Sequence, residues 1–182
     1  MIRRLFGRLA FLIALNLGAG TAWTAAPPGE YQIKAAYLLN FARYMEWPAA
    51  RLPIGALLRL CVLGRDPFGG ALMGLEGRQV NGHEMRLRQI EGVDQAGDCH
   101  LVFIADSEER RLGLLLRGLA GKGVLSVSDA DGFAEAGGGI GLVVEDGRVR
   151  FDINHAALQR DGLRASSQLL RLGRNVLGVR GF

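Results

Sequence analysis

Two short apolar runs constrain the fold of this chain more than any other feature. They cover residues 57–63, where only Arg59 is charged, and residues 100–105. Runs of this kind are typical of strands buried on both faces, as in a parallel sheet with helices on each side. Segments with helical spacing alternate with these runs, and a hairpin pattern follows them. The order predicts a three-layer α/β sandwich with a mostly parallel sheet and an antiparallel hairpin extension.

Cap residues and breakers place the helices between the strands. The first predicted helix covers residues 30–47 and ends before Pro48. Asp66 is the predicted N-cap of a second helix, and Ser107 is the predicted N-cap of a third. The last predicted helix begins after Ser166 and Ser167 and includes Leu169, Leu172 and Val176 on one stripe.

The stretch from 124 to 154 has the most distinct pattern. Residues 124–127 and 140–144 are predicted strands, and a third strand alternates Val149, Phe151 and Ile153 on one face. The Asp-Gly pair at 146–147 predicts a tight hairpin turn. Three successive glycines, 137–139, predict a turn before the hairpin, and Asn154 is a predicted N-cap for the helix that follows.

The N-terminal residues have the layout of a secretory signal peptide. Residues 1–8 are basic, residues 9–17 are apolar except for Asn16, and small residues precede Pro27 and Pro28. We expect a signal peptide at 1–26, cleaved between about Gly20 and Ala26, and a single soluble periplasmic domain at 27–182. The alternative is an uncleaved amphipathic anchor. The apolar run is shorter than the roughly 20 residues of a membrane span.

Composition favours a packed domain that does not bind nucleic acid. Of the 182 residues, 49% are hydrophobic and 22% are charged. Three of the 22 basic residues lie in the leader, so 19 basic residues remain against 18 acidic ones. No Lys/Arg cluster remains after the leader, which argues against nucleic-acid binding.

Cys61 and Cys99 are the only cysteines, and each lies in or beside a predicted buried strand. Consecutive strands of such a sheet are often neighbours, and an exported protein folds in an oxidising compartment. We therefore predict a disulfide, with two buried free thiols as the alternative. Because the spacing is not C-x-x-C, a redox-catalytic role is not favoured.

The sequence lacks the usual patterns of an active site. His83, His100 and His155 show no metal-ligand spacing, so we predict no metal and no cofactor. Ser126 and Ser128 are not in a G-x-S-x-G elbow, and turn formation is the favoured role of the serines and aspartates there. Two glycine loops, 64–66 and 137–139, could bind a ligand or anion, although turn geometry is the favoured interpretation.

Four motifs in order resemble the YfiR family of periplasmic regulatory proteins. They are KAAYLLNFARYMEWP at 34–48, CVLGRDPFG at 61–69, the serine-aspartate, phenylalanine and glycine pattern before RVRFDIN at 148–154, and ASSQLLRLGR at 165–174. The resemblance covers about residues 31–176. It implies an α/β fold and a regulatory role without catalysis, and dimers are known in the family.

The resemblance also implies partners. Similar proteins repress an inner-membrane diguanylate cyclase of YfiN type by binding its periplasmic sensor region, and a YfiB-like outer-membrane lipoprotein can sequester the repressor. The expected function is thus negative regulation of cyclic-di-GMP synthesis and biofilm formation. The alternatives are a ligand-sensing or accessory subunit of another membrane receptor or histidine kinase and, third, an enzyme.

A candidate partner or ligand surface is placed in the same stretch of the chain. Its residues are Asp129, Phe133, Arg150, Phe151 and Asp152. The period of two predicts that Phe151 and Ile153 point one way and that Arg150 and Asp152 point the other way. Two interpretations of Phe151 stay open, a core residue and a partner-facing residue.

Overall fold

The structure is a computed structural model that describes residues 29–178. The predicted signal peptide and its cleavage site lie outside these residues. The helices are α1 (Glu30–Tyr44), α2 (Leu112–Leu119), α3 (His155–Arg160) and α4 (Ser167–Leu172). Three 3-10 helices cover Gly69–Leu75, Val93–Asp98 and Asp106–Arg111. The strands are β1 (Met45–Glu46), β2 (Leu58–Leu63), β3 (Gln79–Val80), β4 (His83–Ile90), β5 (Leu101–Ile104), β6 (Leu125–Ser128), β7 (Ile140–Glu145), β8 (Arg148–Asn154), β9 (Arg164–Ala165) and β10 (Asn175–Leu177).

Eight strands form one sheet in the order β10-β8-β7-β6-β5-β2-β4-β3. The pairs from β7 to β4 are parallel, whereas β8 is antiparallel to β7 and β3 is antiparallel to β4. The β7–β8 turn has positive φ at both Asp146 and Gly147, as a two-residue type I′ hairpin requires. The predicted α/β class, the mostly parallel sheet and the antiparallel hairpin are confirmed.

Helices cover the sheet on both sides because the central strands carry apolar residues on both faces. Leu60 and Val62 of β2 pack into the core beneath α1, whereas Cys61 and Leu63 pack into the core beneath α2. The same division holds for β5, where Leu101 and Phe103 face the α1 side. Burial on both faces is the property that the two apolar runs predict.

Cys61 and Cys99 form a disulfide with Cα atoms 5.9 Å apart. Cys61 lies in β2, and Cys99 directly precedes His100 and the parallel neighbour β5. The bond joins positions 38 residues apart in the chain. The predicted disulfide is confirmed, and the neighbouring strands supply the proximity on which it depends.

Three predicted helix boundaries are wrong. α1 ends at Tyr44 because Met45 and Glu46 become extended and pair with β9, while the Ser166 N–H donates to the Tyr44 carbonyl at 2.9 Å. Asp66 does not cap a helix; its Oδ1 accepts from the Phe68 N–H, and only a glycine-rich 3-10 helix follows. The Ser107 hydroxyl accepts from the Arg65 N–H, and α2 begins at Leu112.

The last two predicted N-caps are confirmed, but the last helix is shorter than predicted. Asn154 accepts from the Ala157 N–H at 2.9 Å, so its predicted cap is confirmed. Ser166 accepts from the Leu169 N–H at 3.1 Å and caps α4. The helix stops at Leu172, and Val176 lies in β10 because this segment pairs in parallel with β8.

His100 connects the loop after α1 to the start of β5 through hydrogen bonds. Its Nδ1 accepts from the Arg59 N–H at 3.0 Å, which leaves the proton on Nε2, and Nε2 donates to the Arg51 carbonyl at 3.0 Å. The His100 carbonyl accepts from Trp47 Nε1 at 3.0 Å. Only the neutral imidazole can make both ring contacts. Burial lowers the pKa of His100, and the positive charges of Arg51 and Arg59 lower it further, whereas the hydrogen bond to the Arg51 carbonyl raises it in part.

This lowered pKa predicts a loss of stability in acid. The unfolded state binds the proton near pH 6.5 whereas the folded state resists it, so the free energy of unfolding decreases as the pH falls below about 6.5. We expect denaturation midpoints to drop between pH 7.5 and pH 5.0 by less in His100→Gln than in the wild type. His155→Gln is the matched control and should keep the wild-type slope. Equal slopes in the wild type and His100→Gln would contradict the prediction.

Candidate functional site

Strand β8 presents different residues to the two sides of the sheet. Val149, Phe151 and Ile153 belong to the core beneath α1, as the period of two predicts. Phe151 is 4% exposed, and its ring lies 5.1 Å from the ring of Phe41 and 5.5 Å from that of Tyr37. The core interpretation of Phe151 is confirmed.

Phe133 is buried on the opposite side of the sheet. It belongs to the core beneath α2 and is 1% exposed. Its ring lies over Gly138, where an added Cβ would come within 2.1 Å of a ring carbon. Gly138 therefore leaves the space that the phenyl ring fills. Neither Phe133 nor Phe151 reaches the surface that the sequence analysis assigned to them.

Asp129 lies directly after β6 and forms a buried ion pair with α1. Its Oδ2 is 2.6 Å from Lys34 Nζ and accepts from the Tyr31 hydroxyl at 2.9 Å. The side chains of Lys34 and Asp129 are 5% and 6% exposed. Burial alone would lower the pKa of Lys34, but hydrogen bonds to Asp129 and Glu30 outweigh it and the pKa is raised. The other Asp129 oxygen has no partner within residues 29–178.

Asp152 is buried on the α2 side of β8 and forms a second charged cluster. Arg174 donates to it through Nε at 2.9 Å and through Nη2 at 2.5 Å, and the Asn175 side-chain amide donates at 3.0 Å. The bonds from Arg174 are the main cause of the lowered pKa of Asp152. Arg174 also lies 3.3 Å from Glu145 of β7. These contacts hold β10 against the β7–β8 hairpin.

The hairpin leaves a charged surface on this side of the sheet. Glu145 pairs with Arg148, and Val143 pairs with Arg150, so these side chains share the face of Asp152. Glu145, Arg148 and Arg150 are exposed, and Arg174 crosses the surface between Glu145 and Asp152. We call this surface the open hairpin face, made of Val143, Glu145, Arg148, Arg150 and Arg174.

Of the five residues assigned to a partner or ligand surface, only Arg150 is exposed. Arg150 and Asp152 share one face, and Phe151 faces the opposite core. Asp129 belongs to the separate pair with Lys34. Recognition of a partner or ligand by these five residues stays a prediction. Arg150 and its exposed neighbours are the part of this predicted surface that is accessible. Lys34 and Arg174 are not among the predicted site residues, although both lie in motifs that resemble the YfiR family.

The two glycine loops serve backbone geometry. At Gly64, an added Cβ would lie 2.6 Å from Ser107 Oγ and from Glu108 Cγ, so this position has no room for a side chain. The amides of the triple glycine are already used, because they donate to Ala134 O, Phe133 O and Ser126 Oγ. The triple glycine therefore has no free N–H group with which to bind an anion. Its role in forming the turn accounts for these residues.

Residues 29–178 contain no group of three His, Cys, Asp or Glu side chains arranged to hold a metal ion. In the same part of the chain, no helix has the length and apolar character needed to cross a bilayer.

Solved structures of low sequence identity share the fold. One is the ABC domain in complex with L-Trp from Streptococcus pneumonia, with 8% identity and a TM-score of 0.53 over 79% of this chain. Another is a conserved domain protein from Vibrio cholerae O1 biovar El Tor, with 10% identity and a TM-score of 0.52 over 81% of this chain. This chain spans 60% of the length of each. At such identities the likeness describes the fold alone.

A family model provides the more specific comparison. The model described as YfiR/HmsC-like matches residues 31–174. The match includes α1, the disulfide, the β7–β8 hairpin and the Asp152–Arg174 cluster. This chain belongs to the YfiR/HmsC-like family.

Proposed function

We propose that the protein is a periplasmic negative regulator of an inner-membrane diguanylate cyclase of YfiN type. It binds the periplasmic sensor region of the cyclase and represses cyclic-di-GMP synthesis. The observation that carries the proposal is family membership across residues 31–174, since the family comprises regulatory, non-catalytic periplasmic proteins. Export by a cleaved signal peptide at 1–26 is part of the same proposal.

Repression from the periplasm requires differential affinity. The regulator must bind the inactive sensor conformation more tightly than the active one, because equal affinity for both would shift nothing. A change from mostly active to mostly inactive requires about 5 kcal/mol of that difference. A rigid surface suits this task, since a flexible one would lose free energy when it is ordered on binding.

The open hairpin face is the proposed docking surface. Its strands are held by ladder hydrogen bonds, and Arg174 fixes the adjacent β10 through Asp152. The exposed arginines Arg148 and Arg150 would attract an acidic sensor surface and increase the association rate. A homodimer, and sequestration by a YfiB-like outer-membrane lipoprotein, are further parts of the proposal.

Deletion of the gene should raise cyclic-di-GMP and biofilm formation. The physical reason is that the free cyclase returns to its active conformation when its repressor is removed. Cyclic-di-GMP is measured by mass spectrometry of cell extracts. The rise should disappear when the cyclase gene is deleted as well. An unchanged level in the single deletion, with the cyclase expressed, would instead favour a role with another receptor or histidine kinase.

A further inference from the structure

A groove lies on the α2 side of the molecule, and its lining shares no residue with the open hairpin face. α2 forms one wall, and the glycine-rich turn and the end of α3 form the other. Its volume is about 290 Å³, and its lining includes Leu116, Arg117, Ala120, Ala136 and Arg160. This volume is close to the lower end of the range for small-molecule sites, about 300 Å³. The groove is thus large enough for a small organic molecule only.

The groove combines two cations with a small apolar lining. Arg117 comes from α2 and Arg160 from α3, and neither forms an ion pair within residues 29–178. Arg160 Nη2 makes one long contact, at 3.3 Å, with the Gly137 carbonyl. The carboxylate of the adjacent Asp161 accepts from the Gly121 N–H at 2.5 Å, and it acts on Arg160 through its charge without forming an ion pair.

The lining between the arginines is apolar. Leu116 is half-buried, and Ala120 and Ala136 are exposed residues whose side chains are methyl groups. A guanidinium presents parallel N–H donors that match a carboxylate, whereas a bare inorganic anion would gain nothing from the methyl groups. Nearby Gly137 adds no donor, since its N–H is bonded to the Ala134 carbonyl. The two arginines therefore supply the polar contacts, and the alanines and leucine select an apolar group.

We propose that this groove binds a small organic carboxylate with a short apolar body, held by Arg117 and Arg160. The site is separate from the docking surface proposed above and does not depend on it. Benzoate is a suitable probe because it carries one carboxylate on one apolar ring. Inorganic phosphate is the matched comparison because it carries charge without an apolar part.

Isothermal titration calorimetry of the full exported chain with benzoate at low salt tests the site. We expect saturable one-to-one binding of benzoate, with affinity reduced at least tenfold in Arg117→Gln and in Arg160→Gln. Arg110→Gln, an exposed arginine outside the groove, is the matched control and should bind as the wild type does. Ala136→Asp adds a carboxylate to the lining and should abolish binding while circular dichroism shows a folded protein.

Three outcomes would overturn the proposal. Absence of saturable benzoate binding would exclude the site, and wild-type affinity in both groove variants would place the binding elsewhere. Phosphate binding as tight as benzoate binding would exclude a role for the apolar lining. If an arginine variant unfolds, Ala136→Asp shows whether benzoate binds in the groove. Residue 136 is exposed in a turn, so the substitution should leave the protein folded.

Discussion

Phe151→Ala is expected to lower the free energy of unfolding by about 3–5 kcal/mol, the usual cost of truncating a buried phenylalanine. The phenyl ring is 4% exposed and packs edge-on against Phe41 and at a steep angle against Tyr37. Its removal would leave a cavity between β8 and α1 and also two aromatic contacts unmade. Urea denaturation followed by circular dichroism measures the change.

Arg150→Ala is the matched control on the adjacent residue of the same strand. Its side chain is exposed and forms no ion pair within residues 29–178, so the change should stay within about 0.5 kcal/mol. A Phe151→Ala protein with wild-type stability but weakened partner binding would mean that Phe151 contacts the partner instead of the core.

Asp129→Ala should have a similar cost, about 3–5 kcal/mol, because it leaves a buried ammonium without its main partner. Lys34 is 4% exposed, and after the substitution its ammonium keeps only half-exposed Glu30 and the face of the Tyr31 ring, 4.4 Å from Nζ. The Tyr31 hydroxyl loses its acceptor as well. Thermal and urea denaturation of the purified variant measure the loss.

A double variant separates the cost of an unpaired charge from the value of the pair. In Lys34→Met with Asp129→Leu, both charges are replaced by apolar groups of similar volume, so stability should return close to that of the wild type. Arg164→Ala, which removes an exposed pair with Glu46, should change stability little. A double variant as unstable as Asp129→Ala would contradict this explanation.

The sequence predicts the long-range architecture but not its short pairings. Buried strands and helices have patterns that persist over several residues, so the sheet core and the β7–β8 hairpin can be anticipated. β1, β9 and β10 are two or three residues long and exist because distant segments pair. Nothing in the local pattern of Val176 distinguishes a helix from an edge strand, since the choice depends on pairing with Ile153.

The charged clusters show the same limit. Lys34 and Asp129 are 95 residues apart in the chain, and Asp152 and Arg174 are 22 apart. The period of two correctly predicts that Asp152 and Phe151 lie on opposite faces of the sheet. It does not predict that Asp152 is buried. Its burial depends on Arg174, which arrives from the segment after α4. A buried charged residue therefore appears in the sequence as a surface residue until its partner is known.

The proposed repression can be measured directly with the purified partners. A diguanylate cyclase of YfiN type is placed in lipid nanodiscs, which expose both sides of the membrane, and cyclic-di-GMP formation from GTP is followed with and without the regulator. We expect the rate to fall at least about tenfold at saturating regulator, which for a cyclase that starts mostly active requires a differential affinity of several kcal/mol. Arg150→Glu should require a higher concentration for half repression, whereas Arg110→Glu, away from the open hairpin face, should act as the wild type does. A rate that stays unchanged at every concentration of folded regulator would contradict the proposed function.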